Sequence, residues 1–399
     1  MKVLMINTVS GYGSTGRTCI ELAKVIEEHG GECYIAYGQG TSNYEKSFKI
    51  GTSLENHLHN IGSRLLGKQG YFTKKGTQKL ISFINKYEPD IIHLRNLHGN
   101  YLHLETLFLF LSGYNGKVIQ TLHDCWAFTG KCAHYTEVKC DKWQTECSNC
   151  PQVKKYPSSL FFDFSNKMYL DKKIWYNSIK NITIQPVSNW LKNEVAKSFL
   201  KDFPIRMVYN WVDHSFFKPT KGLDYIKYNL DSNKFTLLFV SAGWNPNTVK
   251  WKDLERLANE LSSDYQLIVV GKNKYKELLP KNCVAIDYID GKEELAKFYT
   301  FADVYVHLSI EDTFGKVIAE AMSCGTPAIV YNSTACGEIV GDGCGYLVEP
   351  RNIDEILINV KKVENNSKEF YSDRCRSYVV QNFDYLTNAN LIIEIYKEM

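Results

Sequence analysis

The sequence predicts an α/β protein with two doubly wound parallel-sheet domains in tandem. Three observations predict it. Strands alternate with helices in both halves, the alternation restarts after an irregular Pro-containing stretch around Phe203–Pro219, and 399 residues exceed what one simple core accommodates.

Residues 2–8 are a short apolar run suited to a buried strand, and the glycine loop Gly11–Gly16 follows. Arg17–His29 then spaces Cys19, Ile20, Leu22, Ala23 and Ile26 as an amphipathic helix does. Glu32–Tyr37 is a second strand, Gln78–Tyr87 a helix, and Asp90–Leu94 and Lys117–Thr121 are further strands, with a last one at Arg206–Val208. In the second half Lys234–Val240, Gln266–Val270 and Val304–Leu308 read as strands, and Leu254–Leu261 and Lys316–Cys324 as helices. The expected domains are residues 1–208, carrying a cysteine-rich loop at 125–151, and residues 209–380. The segment 381–399, with Tyr385–Lys397 helical, is expected to pack back on the first domain. Two such domains enclose a cleft.

A hydrophobic share of 44% with 23% charged residues describes a globular chain, and a net charge of +3 excludes a general nucleic-acid binder on bulk charge. No apolar run reaches the roughly 18 residues of a spanning helix, and Met1–Asn7 reads as a strand, not a signal peptide. The expected location is the cytoplasm, at the inner face of the cell membrane, where the twelve cysteines stay reduced.

The segment Ser309–Pro327 carries the densest chemistry. It leaves a strand, turns at Phe314-Gly315, enters a helix, and is punctuated by Gly325 and Pro327. Ligands of open α/β sheets bind at the carboxyl ends of strands, where the first amides of the next helix can hold phosphate oxygens. Asp312 and Glu320 bracket the turn, and carboxylates accept hydrogen bonds from sugar and ribose hydroxyls. The bland alternative is a solvated helix start whose acids suit the macrodipole.

This segment resembles the E-x(7)-E signature of the retaining glycosyltransferases of family four, whose fold is the glycosyltransferase B type of two facing Rossmann-like domains. The resemblance implies that Asp312, replacing the usual glutamate, contacts the donor sugar and that Glu320 contacts the ribose. Tyr209–Asp213, with Trp211 in place of glycine, resembles the family's entry to the second domain. Val240–Trp244 followed by Lys250 resembles its phosphate loop, with Gly243 and Lys250 as donor contacts and no arginine at the second basic position. Ser333–Val340 and Gly345–Pro350 resemble the closing segment. Cleaving the sugar–phosphate bond builds charge on the leaving phosphate, which needs fixed cations or amides. No D-x-D pair is present to hold a metal, so Lys250 and the amides around Thr313, Phe314 and Gly315 are expected to serve in metal-independent catalysis.

In the first half, Gly11-x-Gly13-x-x-Gly16 lies between a strand and a helix, as a dinucleotide fingerprint does. An NAD enzyme is disfavoured, because the second strand ends Tyr34–Gly38 without an acid for the ribose; Gly13 is assigned to the donor phosphates. His123, in Thr121-Leu122-His123-Asp124, follows a strand, and the family carries a similar His-Asp whose histidine lies near the donor sugar, so His123 joins Asp312 and Lys250 as a catalytic candidate. His93 and His98 are assigned to the acceptor side.

Five cysteines fall between Cys125 and Cys150, and Cys132, Cys140, Cys147 and Cys150 follow C-x(7)-C-x(6)-C-x(2)-C, sufficient for a closed structural zinc site with His134 as an alternate ligand. Free thiols or disulfides are the alternative. Residues 151–184 carry six lysines against two aspartates among many aromatic residues, a composition suited to an anionic membrane surface as well as to a solvated helix. The cysteine-rich His-Asp-x-Trp insertion resembles a subgroup associated with colanic-acid-like and capsular polysaccharides. The resulting expectation is a retaining glycosyltransferase moving a sugar from a UDP- or GDP-sugar to a glycan or polyprenyl-diphosphate-linked acceptor. The alternatives are a nucleotide-sugar epimerase of the same fold or a non-catalytic, zinc-stapled binding protein.

Overall fold

A computed structural model describes residues 1–289 and 291–398. The chain divides into two compact units, Met1–Val208 with Ala389–Met399, and Tyr209–Asn388.

The first unit contains β1 (Lys2–Asn7), α1 (Gly13–Glu28), β2 (Glu32–Tyr37), β3 (Ser47–Lys49), α2 (Ser53–Leu66), α3 (Lys74–Tyr87), β4 (Ile91–Leu94), α4 (Leu104–Ser112), β5 (Lys117–Leu122), α5 (Ser165–Asn177), β6 (Ile182–Pro186) and α6 (Asn189–Val195). Its six strands are parallel in the order β3-β2-β1-β4-β5-β6. Val3–Ile6 and Ile91–Leu94 are buried because helices cover both sheet faces, which is why these strands are apolar apart from His93. Helix α1 starts four residues before the expected Arg17; Gly13, at φ 63°, lets the chain turn directly into it, and its first turn is polar and so invisible to apolar periodicity. Strands β3 and β6 escape sequence reading for different reasons. β3 is a three-residue edge, while β6 inserts Thr183 and Gln185 into the interior, where Gln185 Nε2 donates to the Val208 carbonyl at 2.9 Å. The strand expected at Arg206–Val208 is an irregular run along β6, held by Arg206 N–H to Ile184 O at 2.9 Å and Val208 N–H to Pro186 O at 3.2 Å.

The second unit contains β7 (Phe235–Trp244), α7 (Val249–Glu260), β8 (Tyr265–Asn273), β9 (Cys283–Ile286), α8 (Lys292–Phe301), β10 (Val304–His307), α9 (Lys316–Ser323), β11 (Ala328–Tyr331), α10 (Cys336–Ile339), β12 (Gly345–Val348), α11 (Ile353–Asn366) and α12 (Glu369–Asn382). Its parallel sheet runs β12-β11-β10-β7-β8-β9. In each sheet the order reverses beside the unit's first strand, opening a crevice at the carboxyl ends of β1 and β4 and of β7 and β10. The last helix, α13 (Tyr385–Glu398), begins in the second unit and ends in the first.

The end of β7 bulges between Val240 and Gly243, bringing the Ser241 carbonyl against Gly271 of β8. Gly271 has φ 134°, and a Cβ there would be driven into that oxygen. Gly271→Ala is expected to destabilise the second unit by about 2 kcal/mol, a Tm fall of roughly 4–8 °C for a unit of this size. Differential scanning calorimetry checks it, and an unchanged transition would refute the packing described.

Candidate functional site

At the second crevice, β10 delivers His307 and the loop that follows delivers Asp312. The Asp312 Oδ2 lies 2.7 Å from His307 Nε2, and His307 Nδ1 lies 2.9 Å from the hydroxyl of Tyr305. Tyr305 is wholly buried, so this Tyr–His–Asp chain fixes a half-exposed carboxylate from within the sheet. The Asp312 backbone is fixed as well: its N–H donates to Thr334 Oγ1 at 3.0 Å and its carbonyl accepts from Ala335 N–H at 3.1 Å. His307, Asp312 and Cys336 could together hold a metal ion by proximity. The 2.7 Å contact is instead that of a hydrogen bond, shorter than the roughly 3.3 Å edge of a tetrahedral zinc site with nitrogen and oxygen ligands.

Gly315 turns the chain into α9 in the left-handed region at φ 71°, and a Cβ would meet Ile318 Cδ1 at 2.7 Å. The first intrahelical bond shown is Ile318 N–H to Gly315 O at 2.9 Å, so the amides of Lys316 and Val317 precede the helix's own ladder. Glu320, one turn on, is buried and accepts from the Tyr299 hydroxyl at 3.3 Å. Lys250 stands in the first turn of α7, donates to Ser241 Oγ and lies 4.9 Å above the Trp244 ring. Burial lowers its pKa, and the Asp312 charge opposes that shift. A turn with amides ahead of the helix ladder, a lysine and an oriented carboxylate therefore belong to one sheet edge.

In the first unit, Asn7 ties the ends of β1 and β4 together by accepting from Asn96 N–H at 3.1 Å. Arg95, 3% exposed, donates through Nη2 to Thr18 Oγ1 at 2.8 Å and to His123 Nε2 at 3.0 Å, while its Nε and Nη1 have no partner. Arg95, His98, His123, Asp124 and Trp126 line a pocket of about 250 Å³ at the ends of β4 and β5. His98 Nε2 lies 2.6 Å from Asp124 Oδ2. Burial would raise the Asp124 pKa, but His98 and the Trp126 amide hold it down to about 2.

Of the residues singled out in the sequence, Asp312, Thr313, Phe314, Gly315, Glu320, Gly243 and Lys250 all lie on the β7, β10 and α9 edge of the second unit, and Gly13, His98 and His123 at the corresponding edge of the first. Phe314 is buried against Phe383, with ring centroids 5.3 Å apart, so only its backbone is available to a ligand. The acceptor-side assignment of His93 is corrected. His93 is wholly buried, with Nδ1 2.6 Å from the Tyr396 hydroxyl of α13 and Nε2 2.6 Å from Thr121 Oγ1, and burial drives its pKa well below the ordinary value. His134 does not line the cavity of the four cysteines. Arg95 and His307 escape sequence reading; the available signal is that each ends or directly follows a β-strand at the crevice edge.

Residues 227–379 match the family model of the glycosyl transferases group 1. The chain is 22% identical over 381 residues, 91% of each chain, to WcaC of Escherichia coli (strain K12), assigned provisionally to colanic acid biosynthesis as a glycosyl transferase. It is 22% identical over 226 residues, 51% of this chain and 57% of the other, to the Escherichia coli UDP-Gal:alpha-D-GlcNAc-diphosphoundecaprenol alpha-1,3-galactosyltransferase. Among solved structures it superposes on Anabaena Alr3699/HepE in complex with UDP-glucose with a TM-score of 0.68 at 15% identity, covering 100% of both chains. The two parallel six-stranded sheets share the glycosyltransferase B fold with that structure. The stretch that matches the group 1 glycosyl transferase model lies within the second unit.

Removing the buried hydrogen bond that aims Asp312 tests the site. A hydrogen bond to a charged group contributes about 1.5–3 kcal/mol, so His307→Ala should lower kcat/KM by roughly 10- to 150-fold. His307→Gln, which keeps a donor, should recover part of the loss in a nucleotide-release assay. Equal rates for wild type and His307→Ala would show that the Tyr305–His307–Asp312 chain does not serve turnover.

Proposed function

We propose that the chain transfers a sugar from a UDP- or GDP-sugar, with retention at the anomeric carbon, to a glycan or polyprenyl-diphosphate-linked acceptor in bacterial surface polysaccharide assembly. The observation that carries the reading is the single edge of the second unit that combines the Gly315 turn, Lys250 and the oriented Asp312. The names of the relatives, one in colanic acid biosynthesis and one acting on a diphosphoundecaprenol-linked sugar, support the acceptor class. The galactosyltransferase's alpha-linked product and the UDP-glucose complex support the stereochemistry and the donor class.

In this reading the bond between the anomeric carbon and the leaving phosphate oxygen breaks, and charge accumulates on that phosphate. Lys250 and the amides of Lys316 and Val317 stabilise it without reorganisation. The acceptor hydroxyl attacks from the face the phosphate leaves, and the phosphate takes its proton. Asp312 accepts from donor-sugar hydroxyls and Glu320 from the ribose. Thr313, Phe314, Gly315, Gly243 and, in the first unit, Gly13 contribute backbone contacts to the donor. His123, held by Arg95, serves the sugar in the transfer step, and His98 belongs to the acceptor side. No divalent ion is required.

Incubation with a panel of nucleotide sugars and a lipid-linked acceptor, scoring transfer, hydrolysis and isomerisation, tests the proposal. Transfer with retained configuration, at a rate unaffected by added Mg²⁺ or Mn²⁺, is expected. Isomerisation alone would make the chain an epimerase, and binding without turnover a non-catalytic protein. Asp312→Ala and Lys250→Ala should each cost about 10²-fold or more in kcat; near-wild-type rates in both would overturn the assignment.

A lipid-linked acceptor calls for contact with a bilayer. Among the described residues no helix is long and apolar enough to cross a membrane. One surface of the first unit nevertheless exposes Leu54, Leu58, Ile61 and Leu65 along α2 and, beside them, Leu160, Phe161 and Phe162, the Leu160 N–H donating to Arg64 O at 2.8 Å. Lys68, its Nζ 4.1 Å above the Phe164 ring, adds positive charge to this apolar surface, as anionic headgroups require. Cosedimentation with phosphatidylglycerol vesicles at low salt should be strong for wild type and largely lost in Phe161→Glu/Phe162→Glu. Absence of wild-type binding would refute this contact.

A further inference from the structure

Between β5 and α5 the chain folds into a compact loop whose core is sulfur. Cys132, Cys140, Cys147 and Cys150 line one cavity of about 310 Å³, together with Lys131 and the buried Trp143. The Cys132 and Cys150 sulfurs are 3.8 Å apart. That is nearly twice a disulfide bond of about 2.05 Å, and equals the roughly 3.8 Å edge of a tetrahedron whose four sulfurs sit about 2.3 Å from a zinc ion. The Gly130 amide donates to Cys147 Sγ at 3.1 Å. Among the described residues no three of the four sulfurs lie within 4.8 Å of one another, so an ion must draw Cys140 and Cys147 toward the close pair.

The second observation is independent of the cysteines' spacing. Two lysines beside the cavity are buried, Lys131 at 3% exposure and Lys172 at 2%. Lys131 Nζ donates to the carbonyls of Gln152, Val153 and Lys155 at 3.3, 2.7 and 3.3 Å. Lys172 Nζ donates to the Trp126 carbonyl and lies 4.0 Å above the Trp126 ring. Both sets of hydrogen-bond partners are neutral. The nearby carboxylates, Asp124 and Asp163, hydrogen-bond to His98 and to the Cys150 amide at 2.6 Å, and act on Lys172 and Lys131 only through space. Two lysines so buried are costly to charge, and further negative charge close by lowers that cost. A divalent ion held by four thiolates carries two excess negative charges, which two lysines match.

We propose that Cys132, Cys140, Cys147 and Cys150 bind a structural zinc ion as a closed tetrathiolate site, and that Lys131 and Lys172 are its buried counter-charges. The ion fastens the loop that carries Asp124 and Trp126 at the end of β5, and no open coordination position is left for chemistry. The site is independent of the donor chemistry, so its test reads metal, not transfer.

Untagged protein grown with zinc and purified without chelators should carry about one zinc per chain. The reduced, metal-free chain titrated with Co²⁺ should develop the visible bands of tetrahedral thiolate cobalt, reversed by Zn²⁺. Cys132→Ser and Cys150→Ser should abolish both signals, while His134→Ala should leave them intact. Lys131→Met/Lys172→Met, which keeps the buried volume, should weaken zinc affinity tenfold or more. A zinc content below about 0.2 per chain with no thiolate–cobalt bands would overturn the site, as would mass-spectrometric detection of Cys132–Cys150 as a disulfide in freshly isolated protein. Wild-type affinity in the double lysine variant would overturn the counter-charge role. If the cysteine variants do not fold, the wild-type cobalt titration decides.

Discussion

The left-handed turn at Gly315 is the constraint on which the second unit's chemistry depends. A strand running into a parallel sheet's carboxyl edge must reverse within a few residues to start the next helix. Gly315 does so in the left-handed region, where a Cβ would press on Ile318 packed directly behind it. The same reversal leaves the opening amides of α9 without ladder partners and sets Asp312 ahead of the turn and Glu320 behind it. Its position is secured from below by Phe314 packed on Phe383, and from the side by Thr334 and Ala335 gripping the Asp312 backbone. The polar groups of the turn are thus aimed by apolar packing of the turn's own residues.

Much of this was legible in the amino-acid sequence because its signals are local. A strand, an acid, Phe-Gly, a helix and a glycine stop occur in one uninterrupted stretch, and each has a backbone reason for being there. What escaped reading depends on contacts made far along the chain. His93 looks like a site residue because it ends a strand, yet its two ring nitrogens are taken by Thr121 and by Tyr396, 303 residues away. Arg95 sits two residues on and points instead toward His123. Alternation would put residues two apart on one face, but β4 ends at Leu94, and the helix that covers His93 is one that sequence alone does not dock. Strand β6 was hidden for a similar reason, since its interior glutamine is polar in composition and satisfied by Thr121 and by the Pro186 and Val208 carbonyls.

The two crevices are built on different electrostatics. In the second unit the charged groups are half-exposed and neighbouring, Lys250 feeling Asp312 across the sheet edge. In the first, the buried Arg95 lines the pocket, its Nη2 bonded to Thr18 and His123 and its Nε and Nη1 without a hydrogen-bond partner. A group so placed favours whatever anionic or strongly polar partner comes within reach, because the cost of burying its charge has already been met in folding.

The crossing of α13 from one unit to the other reaches beyond the site. Tyr396 completes the hydrogen bonding of His93 in the centre of the first sheet, and its carbonyl accepts from Lys117 at 2.9 Å. The interior of the first unit therefore contains residues that leave the ribosome only after the whole of the second unit has been made. Until then the newly synthesised N-terminal half presents an uncovered apolar strip beside β4 and β5, so its maturation awaits the final helix and depends on that helix staying attached.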